Sequence, residues 1–269
     1  MGRSIGQGSG NGGQFETTPG FVVSNEFPIS GKFGEGKMRI ISKNEAVTIP
    51  AKNIRVRLWG AGGADGGCGG GFAMKVITGL TIGSSVNATI GAGGTQTVAN
   101  GGTTSFGAYC SASGGSGKVT NLAASLVQVP GKGVGGDINS SGGMVYRSAT
   151  TNSGTASGAG VGNILGDGGG SNQAGTSGGG GDIEDAITSN GPGSNGNPGM
   201  APVGVWSLDF IGCGGGTGAR RWISTNLDGA AAANAGNGGG GGWRRDGCLP
   251  GGGGGGRADG ANGYMIMEW

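Results

Sequence analysis

Arginine and tryptophan occur together in two short segments, and these side chains are the best suited in the chain to recognise a partner. The segments are Arg220-Arg221-Trp222 and Trp243-Arg244-Arg245. A guanidinium group presents a planar set of donors to an anion, and an indole ring offers a large face for stacking. Together they suit an anionic, ring-containing partner such as a surface glycan. The alternative is that both segments are polar loop tips, each with a structural tryptophan.

Two further segments combine aromatic side chains with charged or polar ones, namely 144–147 and 206–210. Trp, Tyr and Arg are the residues enriched at binding hot spots. The residues predicted to contact a partner are Tyr146, Arg147, Trp206, Phe210, Arg220, Arg221, Trp222, Trp243, Arg244 and Arg245. For Trp206 and Phe210 the alternative is burial at one end of the fold.

The side chains on which most enzymes depend are missing or badly placed. The chain has no histidine, which removes the commonest general base and metal-binding imidazole. Asp182, Glu184 and Asp185 could hold a divalent cation or act as paired carboxylates. Their segment is poor in apolar residues, so a solvated loop is the better interpretation. Gly117-Lys118 is followed by valine rather than Ser or Thr, which fails the phosphate-binding pattern. We predict no enzymatic activity, no cofactor and no metal site.

The four cysteines, Cys68, Cys110, Cys213 and Cys248, form no C-x-x-C pair, which argues against a structural zinc site. They are either small buried thiols packed among glycines or partners in up to two disulfides. Cys213 and Cys248 lie beside glycine tracts that flank 220–222, so they are the first candidates for a disulfide. We expect such a bond to form only after the chain leaves a reducing cytoplasm.

Charge and hydropathy argue against nucleic acid and membrane partners. The formal net charge is +2, too weak a field for a nucleic-acid-binding protein. No apolar run approaches the ~20 residues that cross a bilayer, and residues 1–8 lack the apolar core of a signal peptide. Residues 220–257 contain five basic and two acidic side chains, so positive charge is concentrated around the two Arg-Trp segments.

Alternating apolar and polar residues predict β-strands in the first half of the chain and at its end. Ile54-Arg55-Val56-Arg57-Leu58 is typical of a half-buried strand. Helical periodicity is not convincing anywhere, and residues 122–129 and 183–187 could each form at most a turn or two. We therefore predict an all-β fold with little or no helix, in which strands near 38–111 and 264–269 form a small framework.

Glycine accounts for 74 of the 269 residues. The runs between about 112 and 260 have no fixed period, which excludes collagen and a regular solenoid. A flexible linker is one interpretation, because glycine loses the most entropy on ordering, but a linker would not interleave tryptophans and cysteines. We favour a bundle of extended, three-fold polyglycine segments joined by backbone hydrogen bonds, with irregular loops between them. The tracts expected to touch are 168–170, 178–181, 214–216, 238–242 and 251–256.

We expect two parts in the chain. Residues 1–35 form a lead-in or attachment segment, flexible at first and then supplied with apolar anchors such as Phe15, Phe21 and Phe27. Residues 36–269 form a glycine-rich β/polyglycine domain, with loop insertions at about 119–250.

Residues 46–63 resemble the opening of the glycine-rich domain found in many bacteriophage tail-fibre and tail-tip proteins. The likeness is carried by Ala46–Ala51, Ile54–Leu58 and Trp59-Gly60-Ala61-Gly62-Gly63. Further elements follow in the same order at 69–72, 79–83, 90–94, 101–107 and 112–115, and 258–269 resembles the closing strand. The resemblance covers about 36–118 and 251–269. The middle is similar only in texture, to the polyglycine-helix adhesins of some T-even-like phage fibres.

The resemblance implies a virion protein, assembled in the host cytoplasm and commonly placed at the distal end of a fibre. Its expected partners are other fibre or tail proteins and a host surface glycan or outer-membrane receptor, contacted by loops between glycine tracts. One alternative is a structural fibre, collar or decoration subunit that binds only virion proteins, and another is a non-viral ice-binding or cell-wall protein. Residues 1–35 do not resemble the attachment domain of those adhesins, and the sequence leaves the oligomeric state open.

Overall fold

The computed structural model describes residues 37–117, 129–145, 158–170, 238–241, 246–255 and 258–269. These residues form two antiparallel sheets of five strands each and include no helix. The strands are β1 (Met38–Ile41), β2 (Glu45–Thr48), β3 (Ile54–Trp59), β4 (Phe72–Ile77), β5 (Ser85–Thr89), β6 (Thr104–Phe106), β7 (Cys110–Ala112), β8 (Gly133–Val134), β9 (Ile138–Ser140) and β10 (Tyr264–Glu268). The prediction of an all-β fold is confirmed.

Sheet A has the strand order β1-β10-β3-β4-β9, and sheet B has the order β2-β5-β6-β7-β8. In sheet A the last strand lies between two early ones, where Ile266 of β10 stands opposite Ile40 of β1 and Arg57 of β3. The two ends of the predicted domain therefore meet in one sheet, as the sequence predicted.

The apolar core lies between the two sheets, which pack as a sandwich. Side chains alternate along a strand, so Ile54, Val56 and Leu58 of β3 face this core while Arg55 and Arg57 face away from it. The core is completed by Ile41, Val47, Ile49, Ala73, Ile77, Ala88, Phe106, Cys110, Ala112, Met265 and Met267. All six residues of β3 are nevertheless buried. The prediction of a half-buried strand is wrong, because both faces of sheet A are covered at this strand.

Strands β8 and β9 lie within the range that the sequence analysis assigned to loop insertions. They contribute one edge strand to each sheet, and the bridge between Lys132 and Ser141 joins them where the two sheets meet. With two and three residues, these strands are too short for alternation to be recognised in the sequence.

Eight of the strands continue directly into glycine-rich extended segments. These segments are 60–64 after β3, 67–71 before β4, 90–94 after β5, 99–103 before β6, 113–117 after β7, 129–132 before β8, 141–145 after β9 and 258–263 before β10. Segments from both sheets hydrogen-bond to one another, as Ala61 N does to Gly102 O at 3.1 Å. A glycine bundle therefore extends from one end of the sandwich.

Candidate functional site

The backbone of residues 60–65 shows how the glycine bundle is constructed. Successive N–H groups donate to three different neighbouring segments, and the cycle repeats after three residues. The bonds are Gly60 N to Gly71 O, Ala61 N to Gly102 O, Gly62 N to Ala261 O, Gly63 N to Cys68 O, Ala64 N to Ala99 O and Asp65 N to Ala258 O, all of 2.8–3.1 Å. A helix with three residues per turn and no internal hydrogen bonds has this property. The bonds of 60–64 have the pattern of the predicted polyglycine geometry, and at Asp65 the chain turns, with a φ of 54°.

Close approach of the segments explains why the contact positions of the bundle are occupied by glycine. A Cβ added at Gly62 would overlap the carbonyl of Gly252, and one added at Gly69 would overlap the carbonyl of Gly160. Both obstacles are backbone atoms, which cannot rotate away as a side chain could. These two positions require glycine because of the spacing between neighbouring backbones.

Three of the tracts predicted to touch one another lie wholly or partly within the described residues. The predicted contact is confirmed between 238–241 and 251–255, whereas 168–170 bonds to Gly160, which lies outside the predicted tracts. Gly169 O of the first tract accepts from Gly160 N at 2.9 Å, and Gly241 N of another donates to Gly253 O at 2.8 Å. Gly253 N donates in turn to Ala159 O at 2.8 Å. The tracts 178–181 and 214–216 lie outside the described residues.

The end of the bundle away from the sandwich is called the outer end. Next to sheet B, Ser113 N donates to Lys132 O at 2.9 Å; three residues further out, Ser116 N donates to Val129 O at 2.9 Å. The chain on either side of 118–128 therefore lies at the outer end.

A second pair of segments reaches the same end. Val161 packs against the outer face of sheet A and donates to Gly238 O at 2.9 Å. Three residues further out, Gly158 N donates to Gly241 O at 2.7 Å. The chain at residues 158 and 241 is therefore also at the outer end.

Two of the predicted binding segments directly adjoin this end. Tyr146-Arg147 follows Val145, which is buried beside Ala159. Trp243-Arg244-Arg245 begins two residues after Gly241. All ten predicted contact residues lie outside the described residues, so their positions remain predictions: Tyr146, Arg147, Trp206, Phe210, Arg220, Arg221, Trp222, Trp243, Arg244 and Arg245. The acidic segment 182–185 also lies outside them.

A buried ion cluster at the other end of the molecule was not predicted. Arg55 Nε donates to Glu268 Oε2 at 2.6 Å, and Arg57 Nη2 donates to Glu268 Oε1 at 2.9 Å. The side chains are 1 %, 1 % and 0 % exposed. Arg55 stands directly opposite Glu268 in the register of β3 and β10, and Arg57 is its diagonal neighbour. The one signal in the sequence is an acid in an otherwise apolar closing strand.

Aromatic side chains join the bundle to the outer face of sheet A. The ring centroids of Trp59 and Phe72 are 5.1 Å apart, and those of Trp59 and Tyr264 are 6.3 Å apart. Val161 of the bundle and Ile266 of β10 complete this cluster. Burial raises the pKa of the Tyr264 hydroxyl. The cluster packs the bundle against sheet A.

Two cysteines are buried thiols, one in each part of the molecule. Cys110 lies in the sandwich core, where burial above all raises its pKa to about 11. Cys68 lies in the bundle, and burial raises its pKa despite hydrogen bonds from Val145 and Ser116. Burial, together with Asp246, also raises the pKa of Cys248. Cys213 lies outside the described residues, so its disulfide with Cys248 remains a prediction.

Within the described part of the chain, no three acidic or cysteine side chains come together as a metal site would need. No helix there has the length and apolarity to span a membrane. No protein-family model matches the chain, and no curated protein matches it in sequence.

Proposed function

We propose that this chain is a bacteriophage virion protein, an adhesin of the tail fibre or tail tip. It contacts the host surface through the segments between its glycine tracts, called the excursions, which contain 144–147, 206–210, 220–222 and 243–245. The observation that supports this function is that the two ends of the fold differ in which parts of the chain they hold. Trp269 N donates to Lys37 O at 3.1 Å at the end of sheet A remote from the bundle. Lys37 and Trp269 therefore lie at one end of the domain, and the described chain at 117, 129, 145, 158 and 241 lies at the other.

A glycine bundle is a suitable base for binding loops because its geometry is fixed by the backbone. Segment 60–65 uses every one of its N–H groups in bonds to other segments. Loops that begin and end on such a scaffold pay less to adopt a binding conformation, and rigid scaffolds commonly carry function on their loops. The bundle itself presents few side chains, so discrimination between partners falls to the excursions.

The composition of the excursions indicates the class of partner. Trp222 and Trp243 offer stacking faces, and the neighbouring arginines bind anionic groups in a planar, bidentate manner. A negatively charged glycan of a bacterial surface, with lipopolysaccharide as the type case, carries both features. We assign the contacts with other fibre or tail proteins to residues 1–35 and to the end of the sandwich remote from the bundle.

The proposal is tested with purified protein applied to a panel of bacteria and to immobilised lipopolysaccharide. Trp222→Ala and Trp243→Ala are each expected to weaken binding by tenfold or more, about 1.4 kcal/mol, with unchanged circular dichroism and melting. Ile82→Ala is the matched control, because Ile82 is 58 % exposed on the sandwich. It should leave binding unchanged.

The structural-subunit alternative makes the opposite prediction. A chain that binds only virion proteins would adsorb to none of the bacteria, and folded Trp222/Trp243 double variants would behave as the wild type in every binding assay. That result would refute the adhesin and favour a fibre, collar or decoration subunit.

A further inference from the structure

Residues 258–269 form one extended segment that runs through both parts of the molecule, and we call it the closing segment. Its first half lies in the bundle, where Ala258 O accepts from Asp65 N, Ala261 O from Gly62 N and Asn262 O from Gly251 N, at 2.8–2.9 Å. Its second half is β10, which pairs with β1 on one side and β3 on the other.

The closing segment joins β1 to the rest of sheet A. Without it, β1 has no pairing partner among the described strands, and β3 is paired on one side only. Five hydrogen bonds from Arg55 and Arg57 to Glu268 fasten its far end. These contacts span more than 200 residues of sequence, whereas the first half of the segment also bonds to the nearby residues 247–255.

The rest of the fold has its own connections. Sheet B contains no residue of the closing segment. In the bundle, Gly60, Ala61, Gly63 and Ala64 donate to segments 68–71 and 99–102 rather than to 258–263. The neighbours of the closing segment in the bundle therefore stay bonded to one another when it leaves, whereas β1 is released from sheet A.

From this arrangement we propose that the closing segment opens and closes as a single unit, a latch that joins bundle to sandwich and detaches while sheet B and the remaining bundle persist. Native proteins open sub-globally in contiguous units, and this opening also withdraws Met265 and Met267 from the sandwich core. The open state carries a continuous slot that runs through the bundle and into sheet A. Glu268 sets how often the slot opens.

The three-residue cycle of the bundle makes the proposal testable by native-state hydrogen exchange at low denaturant concentrations. Gly62 and Asp65 donate to the closing segment, whereas the other four N–H groups of 60–65 donate elsewhere. We expect Gly62 and Asp65 to exchange with the same opening constant as the amides of β10. The amides of Gly60, Ala61, Gly63 and Ala64 should be protected at least tenfold more strongly.

The variant Glu268→Gln should lower the protection of Gly62, Asp65 and β10 together by tenfold or more. The control Phe106→Leu, in the core of sheet B, should lower protection without producing the every-third-residue pattern. One protection factor shared by all of 60–65 in the wild type would overturn the latch, and so would release of β10 without Gly62 and Asp65. The wild-type measurement decides the question even if Glu268→Gln does not fold.

Discussion

The sandwich and the glycine bundle are continuous along the chain, yet they are stabilised in opposite ways. In the sandwich, side chains such as Val56, Leu58 and Phe106 fill the space between two sheets, and the release of apolar surface from water drives packing. In the bundle the backbones approach until their carbonyls would overlap a Cβ, and hydrogen bonds join segment to segment. The same chain changes from one mode to the other within a residue or two, at one end of eight of the strands.

The comparison also shows what each part tolerates. A packed core accepts side chains of similar volume at modest cost. The bundle has no side-chain volume to exchange at its contact positions, so an added methyl group must displace a backbone. The bundle is therefore far more sensitive to substitution than its simple composition suggests.

The largest effect is expected from a side chain placed inside the bundle. Gly62→Val puts atoms into the carbonyl of Gly252, and we expect a loss of more than about 4 kcal/mol, or no folding. Thermal unfolding followed by circular dichroism measures it. Ala92→Val adds similar volume at an exposed bundle position and should change stability by less than about 0.5 kcal/mol. Equal melting of both variants would mean that the segments are not in close contact.

The next effect concerns the buried ion cluster. Glu268→Gln leaves two buried guanidinium groups without their carboxylate, and loss of one partner of a buried ion pair costs about 3–5 kcal/mol. Denaturant unfolding gives the value. Glu45→Gln is the control: it removes the Arg39–Glu45 pair, whose side chains are 42 % and 22 % exposed, and should cost about 0–1 kcal/mol. Similar losses for both would contradict the burial of the cluster.

The free energy of unfolding is expected to depend on pH because the Cys110 thiol is buried in the sandwich. Because the pKa of Cys110 is raised from 9.0 to about 11 in the fold, the folded state holds its proton more tightly than the unfolded state. Cys110 therefore stabilises the fold below about pH 9, and this contribution disappears as pH rises from 9 to 11, by about 2–3 kcal/mol. Urea unfolding at pH 8 and 10.5 tests this. Cys110→Ala should show a smaller loss between those values.

The smallest effect is expected from trimming the sandwich core. Ile54→Val removes one methylene group at a fully buried position and should cost about 0.5–1.5 kcal/mol. The measurement is again denaturant unfolding. A loss as large as that of Gly62→Val would remove the contrast between the two parts of the molecule.

Local sequence patterns predicted most of the elements that depend on interactions between residues close in the chain. The alternation of 54–58 and the strand-like end 264–269 led to β3 and β10, and the glycine runs led to the bundle. The burial of Arg55 and Arg57 was missed because the acid that pairs with them lies more than 200 residues away. A strand with alternating arginines is indistinguishable from a solvent-facing strand until its partner is known. The binding segments at 146–147, 206–210, 220–222 and 243–245 stay predictions.

The three-residue cycle of hydrogen bonds restricts the insertions and deletions that the bundle accepts during evolution. Inserting one residue into a segment such as 60–65 would direct every following N–H group to the wrong neighbour. Within the bundle, we therefore expect insertions and deletions only in multiples of three residues. Insertions in the excursions leave this register untouched. The length of the bundle segments is therefore constrained, whereas the excursions can vary in length and sequence.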